Sequence, residues 1–161
     1  MNLKLYLLRH GQAGSRHRWK GDDSARPLTG RGKQRMKREA ATIRKMDLRL
    51  DLILTSPLAR AQQTAEIVAE ALGLGSRLVT DSRLAPGFGP RQLRALLVKH
   101  RRATALMLVG HEPDLSRTIS HLIGGGRLDV KKGALALVEL KDRVSPAGRL
   151  VWLIPPKALD R

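Results

Sequence analysis

LKLYLLRHG, residues 3–11, is the stretch that decides the fold. Its apolar residues continue as far as Leu8, which is typical of a buried strand. Arg9, His10 and Gly11 then follow at the point where such a strand would reach the surface. We therefore expect a strand whose end carries functional side chains, with Arg9 and His10 as the first candidates.

Two later segments repeat this arrangement of an apolar run followed by polar residues. The run DLILT, residues 51–55, predicts a second buried strand, and Ser56-Pro57 is typical of the N-cap and first residue of a helix. Arg60 then falls in the first turn of that helix, where free backbone N–H groups already favour an anion. The run ATALMLV, residues 103–109, predicts another buried strand, and His111 follows it.

Strands and helices alternate along the chain, which predicts βαβ units and a largely parallel sheet covered on both faces. We expect an α/β fold, a three-layer αβα sandwich around a mostly parallel sheet, in a single domain over residues 1–161. Two final strands joined by a turn near residues 145–148 give this sheet an antiparallel edge. The remaining predictions are four helices and three strands. The helices follow a cap at or near Thr29, run from Pro57 to Gly73, cover 92–102 and open at Pro113. One strand lies within 74–80, the other two cover 134–140 and 150–154, and the ordered chain ends at Pro155-Pro156.

The polar residues of the three segments are expected to meet at one edge of the sheet. Ligands of open α/β sheets bind beyond the carboxyl ends of the strands. Arg9-His10, Ser56 with Arg60, and His111 each follow a predicted strand end. This convergence predicts one pocket that contains Arg9, His10, Arg60 and His111.

The segment 12–26 connects the first strand to the first helix and is too long for a tight turn. Connections of this length at the mouth of a strand are usually functional or mobile, so we place it at the rim of the pocket. His17 lies in this loop, and the sequence leaves open whether it contacts the substrate. His100 and His121 are given structural roles, because the first lies in a charge cluster and the second on a predicted helix.

The chain is strongly basic, with 31 Lys and Arg against 14 Asp and Glu and a net charge of +17. A field of this sign attracts polyanions, which brings nucleic acid into consideration. Aromatic residues make up only 2% of the chain, which leaves few platforms for stacking bases. We therefore favour a solvated basic surface over specific nucleic-acid binding, and we expect no nucleic-acid partner.

The 161-residue sequence contains no cysteine, which excludes disulfides, thiolate metal sites and cysteine nucleophiles. The N-terminal segment lacks the features of a signal peptide, and no apolar run approaches the length of a membrane span. We expect a cytoplasmic protein without a membrane partner. No pair of its five histidines has helical ligand spacing beside a carboxylate, so we expect no metal and no organic cofactor.

Four segments together resemble the histidine phosphatase superfamily, which includes phosphoglycerate mutases and acid phosphatases. They are LRHG at 8–11, RPLT at 26–29 with Gly32, TSPLARAQQTA at 55–65 and VGHEP at 109–113. RHG alone would be a weak signal, but the four segments occur in order and three of them begin at predicted strand ends. The short chain and the compact loop at 81–90 are most similar to the small SixA-type phosphohistidine phosphatases.

The resemblance implies a covalent mechanism in which His10 takes the phosphoryl group and water then hydrolyses the intermediate. Arg9 and Arg60 would hold the phosphate, or a sulfate in its place, because guanidinium stays charged and donates paired hydrogen bonds. His111 would donate to the same phosphate from the opposite side. Catalytic roles are thus implied for all four residues, and substrate binding for Arg9, Arg60 and His111.

One departure from the family pattern concerns the leaving group. Many family members carry a carboxylic acid after the third strand to protonate an alcohol, whereas residues 84–90 contain none. A histidine leaving group is easier to expel, which favours phosphohistidine in a partner protein such as a phosphotransfer domain. Two alternatives remain: a phosphatase of small phosphomonoesters with Asp81 or Glu112 as the acid, and a basic polyanion-binding protein on a degenerate phosphatase fold.

Overall fold

Six strands form the central sheet of the computed structural model, which describes residues 2–161. They are β1 (Leu3–Arg9), β2 (Leu52–Thr55), β3 (Leu78–Thr80), β4 (Ala105–Gly110), β5 (Leu135–Leu140) and β6 (Gly148–Ile154). Their order across the sheet is β3-β2-β4-β1-β5-β6. The first four strands run parallel to one another, and β5 and β6 form the antiparallel edge. The predicted mixed α/β sheet is confirmed.

Five α-helices cover the two faces of this sheet in the described part of the chain. They are α1 (Gly30–Lys45), α2 (Ala59–Leu72), α3 (Pro90–Lys99), α4 (Asp114–Leu122) and α5 (Pro156–Leu159). As predicted, Thr29 caps α1 by accepting a hydrogen bond from the backbone N–H of Gly32, and Gly73 ends α2 in the left-handed conformation, with φ of 67°.

Alternate residues of β1 enter two different cores, because successive side chains of a strand point to opposite faces. Leu5 and Leu7 pack in the core beneath α3 and α4, whereas Tyr6 and Leu8 pack in the core beneath α1 and α2. All four side chains are almost completely buried. The run of buried residues from Leu5 to Leu8 in β1 therefore follows from its central position, with helices on both sides.

The third strand, Leu78–Thr80, lies within the predicted segment 74–80 and follows a 3-10 turn at Gly75–Arg77. The structure corrects two other predicted boundaries. The second helix begins at Ala59 rather than at Pro57, and the Ser56 hydroxyl accepts a hydrogen bond from the Leu58 N–H at 3.3 Å while it also contacts His111. The chain also continues past Pro155 into α5, whose Leu159 is buried against the α1 side of the sheet.

Candidate active site

The ends of three parallel strands bring the predicted residues together. In the sheet register Arg9 pairs with Gly110, and Thr55 pairs with Val109. The residues immediately after these positions, His10, Ser56 and His111, therefore leave the sheet side by side. The ring centroids of His10 and His111 are 5.2 Å apart.

His10 is held in one orientation and in its neutral form. Its ring is buried, and its Nδ1 lies 2.7 Å from the carbonyl oxygen of Gly11. Because a carbonyl oxygen only accepts, Nδ1 carries the proton and Nε2 keeps a free lone pair. The pKa of His10 is lowered to about 3, mainly by burial; the Gly11 contact opposes this shift, and the charges of His111, Arg60 and Arg9 add to it. A neutral imidazole with a free Nε2 is what a nucleophile requires.

His111 is fixed by a side chain that the sequence suggested for another task. Its Nε2 and the Ser56 hydroxyl oxygen are 2.7 Å apart, and both residues are buried. Burial, followed by the charge of Arg60, lowers the pKa of His111 to about 4. Within the described residues, its Nδ1 is buried without a hydrogen-bond partner. The hydrogen-bonding capacity of this nitrogen is therefore unused within the described residues.

Arg60 lies in the first turn of α2, as predicted, and its guanidinium group is held by the loop before α1. One terminal nitrogen donates to the Asp23 carbonyl oxygen at 2.9 Å, and the other donates to the Asp23 carboxylate at 3.1 Å. Arg60 Nε is buried and finds no partner among residues 2–161. Since a guanidinium group carries five N–H donors, about three remain for an anion.

Asp23 and Arg26 hold the loop in place and were not assigned these roles from sequence. Arg26 is buried, and it donates to the Asp23 carboxylate at 2.9 Å and to the Gly14 carbonyl at 2.6 Å. The hydrogen bond from Arg26 lowers the pKa of Asp23, so this carboxylate is ionised at neutral pH. Their spacing of i and i+3 was the signal available in the sequence, but the contact of Asp23 with Arg60 spans 37 residues.

Arg9 presents its guanidinium group from the end of β1. One terminal nitrogen donates to the Val130 carbonyl at 2.9 Å, and its buried Nε lacks a hydrogen-bond partner in the described chain. Burial lowers the pKa of Arg9, while the charge of Glu112 opposes this effect. An arginine of ordinary pKa above 12 stays charged under such a shift.

Two small residues fix the chain around Gly11. The Gly11 N–H donates to the Thr64 hydroxyl at 3.0 Å, and that hydroxyl donates to the Arg60 carbonyl at 2.7 Å. Thr64 thereby ties the end of β1 to α2. A Cβ atom at Gly32 would lie 2.1 Å from the Gln12 carbonyl oxygen, so only glycine allows α1 to pack this closely against the chain that leaves the site.

The two carboxylates considered as proton donors are both engaged elsewhere. Asp81 is buried and bound by Arg83 at 2.7 Å and Lys99 at 3.3 Å, and the hydrogen bond from Arg83 holds its pKa well below the usual range. Asp81 is therefore ionised and is rejected as a general acid. Glu112 accepts from the Ser116 N–H at 2.8 Å and so caps the first turn of α4.

The remaining predictions concern the other three histidines, metal binding and membrane spans. His17 and His121 are exposed, and His100 is only partly buried. Within residues 2–161, no cluster of three or more His, Cys, Asp or Glu is arranged to hold a metal ion. Over the same range, each helix is too short or too polar to cross a bilayer.

The sequence model of the histidine phosphatase superfamily, branch 1, matches residues 5–89. The chain belongs to this superfamily. An uncharacterized protein of Picosynechococcus is 38% identical to it over 142 residues, which cover 83% of this chain and 82% of that protein. GpmB of Escherichia coli, named a probable phosphoglycerate mutase, is 31% identical over 90% of this chain, but the match spans only 61% of GpmB.

Comparison with solved structures shows which members of the histidine phosphatase superfamily this chain resembles. The protein histidine phosphatase SixA, solved in complex with tungstate, superposes with a TM-score of 0.85 and 26% sequence identity. The superposition covers 98% of this chain and 99% of the SixA chain. The similarity to SixA suggested by the short chain and the compact loop at 81–90 is thus confirmed.

Proposed function

We propose that this protein is a phosphatase that removes the phosphoryl group from phosphohistidine in a partner protein. The observation that carries the proposal is the neutral His10, whose Nδ1 is bound to the Gly11 carbonyl. Its free Nε2 lies among groups suited to an anion, namely Arg9, Arg60 and His111. Similarity to SixA, whose structure holds the phosphate-like anion tungstate, supports the same assignment.

The reaction would proceed in two displacements at phosphorus. In the first, His10 Nε2 attacks, a P–N bond forms to His10, and the P–N bond to the substrate histidine breaks. The substrate imidazole leaves with a proton taken from solvent. In the second, water attacks the phosphorylated His10, the new P–N bond breaks, and inorganic phosphate and neutral His10 are regenerated.

The three neighbouring groups would act on the phosphoryl oxygens. Arg9 and Arg60 would offset the charge that otherwise repels the nucleophile and that builds up in the transition state. His111 would donate through Nδ1 when the Ser56 hydroxyl donates to its Nε2. The Asp23 contact would keep the Arg60 guanidinium in one plane, with its remaining donors directed at the anion.

The ion pairs of Asp81 bear on which leaving group the site can expel. With Asp81 locked in ion pairs with Arg83 and Lys99, the segment after β3 offers no protonated carboxyl group. An alkoxide leaving group needs such a donor far more than an imidazole does. This difference supports phosphohistidine over phosphate esters.

The test is to trap and locate the phosphoryl group. Protein mixed with a phosphohistidine-bearing phosphotransfer domain is quenched in alkaline denaturant, where phosphohistidine survives, and is then mapped by mass spectrometry. We expect phosphate on His10, none in His10→Ala, and wild-type labelling in His121→Ala, which removes an exposed histidine. Phosphate on another residue, or full activity in His10→Ala, would contradict the mechanism.

A phosphatase of small phosphomonoesters is the second candidate, and the match to GpmB supports it. It now depends on Glu112, because Asp81 is excluded as the acid. A panel of phosphate esters and phosphoramidates separates the two functions. Faster ester hydrolysis that is lost in Glu112→Gln would favour this candidate. Tight, salt-sensitive nucleic-acid binding without any hydrolysis would instead favour the polyanion-binding alternative.

A further inference from the structure

The turn 131–134 lies beside the candidate active site because β5 runs antiparallel to β1. The start of β5 therefore adjoins the end of β1, and Leu135 pairs with Leu8. One step further along, the Gly133 N–H donates to the Arg9 carbonyl at 3.1 Å. The residue before Gly133 is Lys132, which the sequence motifs did not single out.

Gly133 fixes the shape of this turn. Its φ is +86°, and the Ala134 N–H closes the turn on the Lys131 carbonyl at 2.8 Å. A Cβ atom at Gly133 would lie only 2.5 Å from a carboxylate oxygen of Glu39, which is completely buried. Glycine is therefore required for two reasons, and the backbone of Lys132 is held in one position.

Lys132 differs from its neighbour Lys131 in its electrostatic surroundings. Lys131 forms an ion pair with Asp129 at 3.6 Å, whereas no described carboxylate forms such a pair with the Lys132 ammonium group. Burial lowers the pKa of Lys132, and so do the charges of Arg9, Arg26 and Arg60. The ammonium group thus lies within the electrostatic range of the guanidinium groups that surround the two site histidines.

Lys132 and Arg9 line one cavity. Its volume is about 660 Å³, and its lining also includes Gln12, Met36 and Lys131. Lys132 is an exposed residue, so its long side chain has room to move within this space. Arg9 and Lys132 therefore share one opening through which an anion bound beside Arg9 can be reached.

The balance of charge at this point calls for an anion. Arg9, Arg26, Arg60 and Lys132 are cationic. The Asp23 carboxylate pairs with Arg26 and Arg60, and the charges of Glu112 and Asp129 act on Arg9, so the cations outnumber the carboxylates. Like charges held together in a partly buried site repel one another. A phosphoryl group with its negative charges would relieve this repulsion.

We infer that Lys132 is a further substrate-binding residue, which donates from its ammonium group to an oxygen of the phosphoryl group held by Arg9 and Arg60. The inference rests on the proposed phosphatase function, because it assigns the anion in the site to the substrate. An ammonium group on a flexible stem acts here as a mobile point charge, in contrast to the fixed forks of the two arginines. Lys132 would follow the phosphoryl group during its transfer to His10.

The test compares two adjacent lysines by the binding of inorganic phosphate, measured by calorimetry without turnover. Removal of a charge-assisted hydrogen bond in Lys132→Met should weaken phosphate binding roughly tenfold or more. Lys131→Met removes the same net charge from the same cavity lining, but the ammonium group of Lys131 is paired with Asp129, so phosphate affinity should stay within about twofold of wild type. Lys132→Arg should restore most of the lost affinity, and all variants should unfold at the wild-type temperature because both side chains are exposed.

Equal phosphate affinities in the Lys132→Met and Lys131→Met variants would overturn the inference, as would a wild-type protein that does not bind phosphate. Because the measurement needs no turnover, it is separable from the substrate assignment. A wild-type protein that binds phosphate through Lys132 but leaves phosphohistidine intact would contradict the proposed function alone.

Discussion

Thr64→Val removes the one hydroxyl that joins the end of β1 to α2, while keeping the shape of the side chain. Thr64 is completely buried, so no water replaces its hydroxyl as the partner of the Gly11 N–H. A buried donor left unpaired costs about 1–3 kcal/mol, so we expect the free energy of unfolding to fall by about 2 kcal/mol. The Arg60 carbonyl also loses its bond from the hydroxyl.

The consequence for activity follows from what the Gly11 peptide holds. Its carbonyl oxygen orients His10, and its N–H is the group released by the substitution. A loosened Gly11 peptide would let the His10 ring leave the orientation needed for attack, so we expect kcat for hydrolysis of a small phosphoramidate to fall roughly tenfold.

The matched control is Thr64→Ser, which keeps the hydroxyl and loses a buried methyl group at a cost of about 1 kcal/mol. Urea unfolding followed by circular dichroism gives the stabilities, and initial rates give kcat and KM. The reasoning is wrong if the valine variant is at least as stable as the serine variant, or if it retains wild-type kcat.

Three further predictions concern charge. The native pKa of His10 is about 3 and unfolded histidine titrates near 6.5, so the unfolded state binds more protons between these pH values. The free energy of unfolding should therefore fall as pH drops from 6.5 to 4.5. Urea midpoints should show this slope, and His10→Asn should reduce it. Asp81→Asn should lower the free energy of unfolding by about 1–3 kcal/mol, because it breaks the hydrogen bonds from Arg83. The kcat for ester and phosphoramidate hydrolysis should stay at the wild-type value. A selective loss of ester hydrolysis would instead show that Asp81 acts as the general acid. Asp23→Asn should change KM for a phosphoramidate several-fold, because Asp23 orients Arg60. The unfolding temperature should change little, since Asp23 lies in a partly exposed loop. An unchanged KM would refute this role of Asp23.

The sequence by itself determined the class of fold and named the candidate site residues. Apolar runs and helical spacing are local properties, and they predicted the strands that end at Arg9, Thr55 and Gly110. Since parallel strands present their carboxyl ends at one edge, the grouping of His10 with His111 followed from those runs alone. The matching segments then added the family.

Only the tertiary structure decided which partners hold these residues. Ser56 looked like a helix cap because that is its usual role before proline, but the sheet register places it against His111. Asp23 bonds Arg60 across 37 residues, and Lys132 approaches Arg9 because β5 turns antiparallel to β1. Contacts of this kind depend on register and packing between distant segments, which local periodicity does not encode. Local pattern thus set where the reactive groups leave the sheet, and packing set their orientation, their charge and the cations around them.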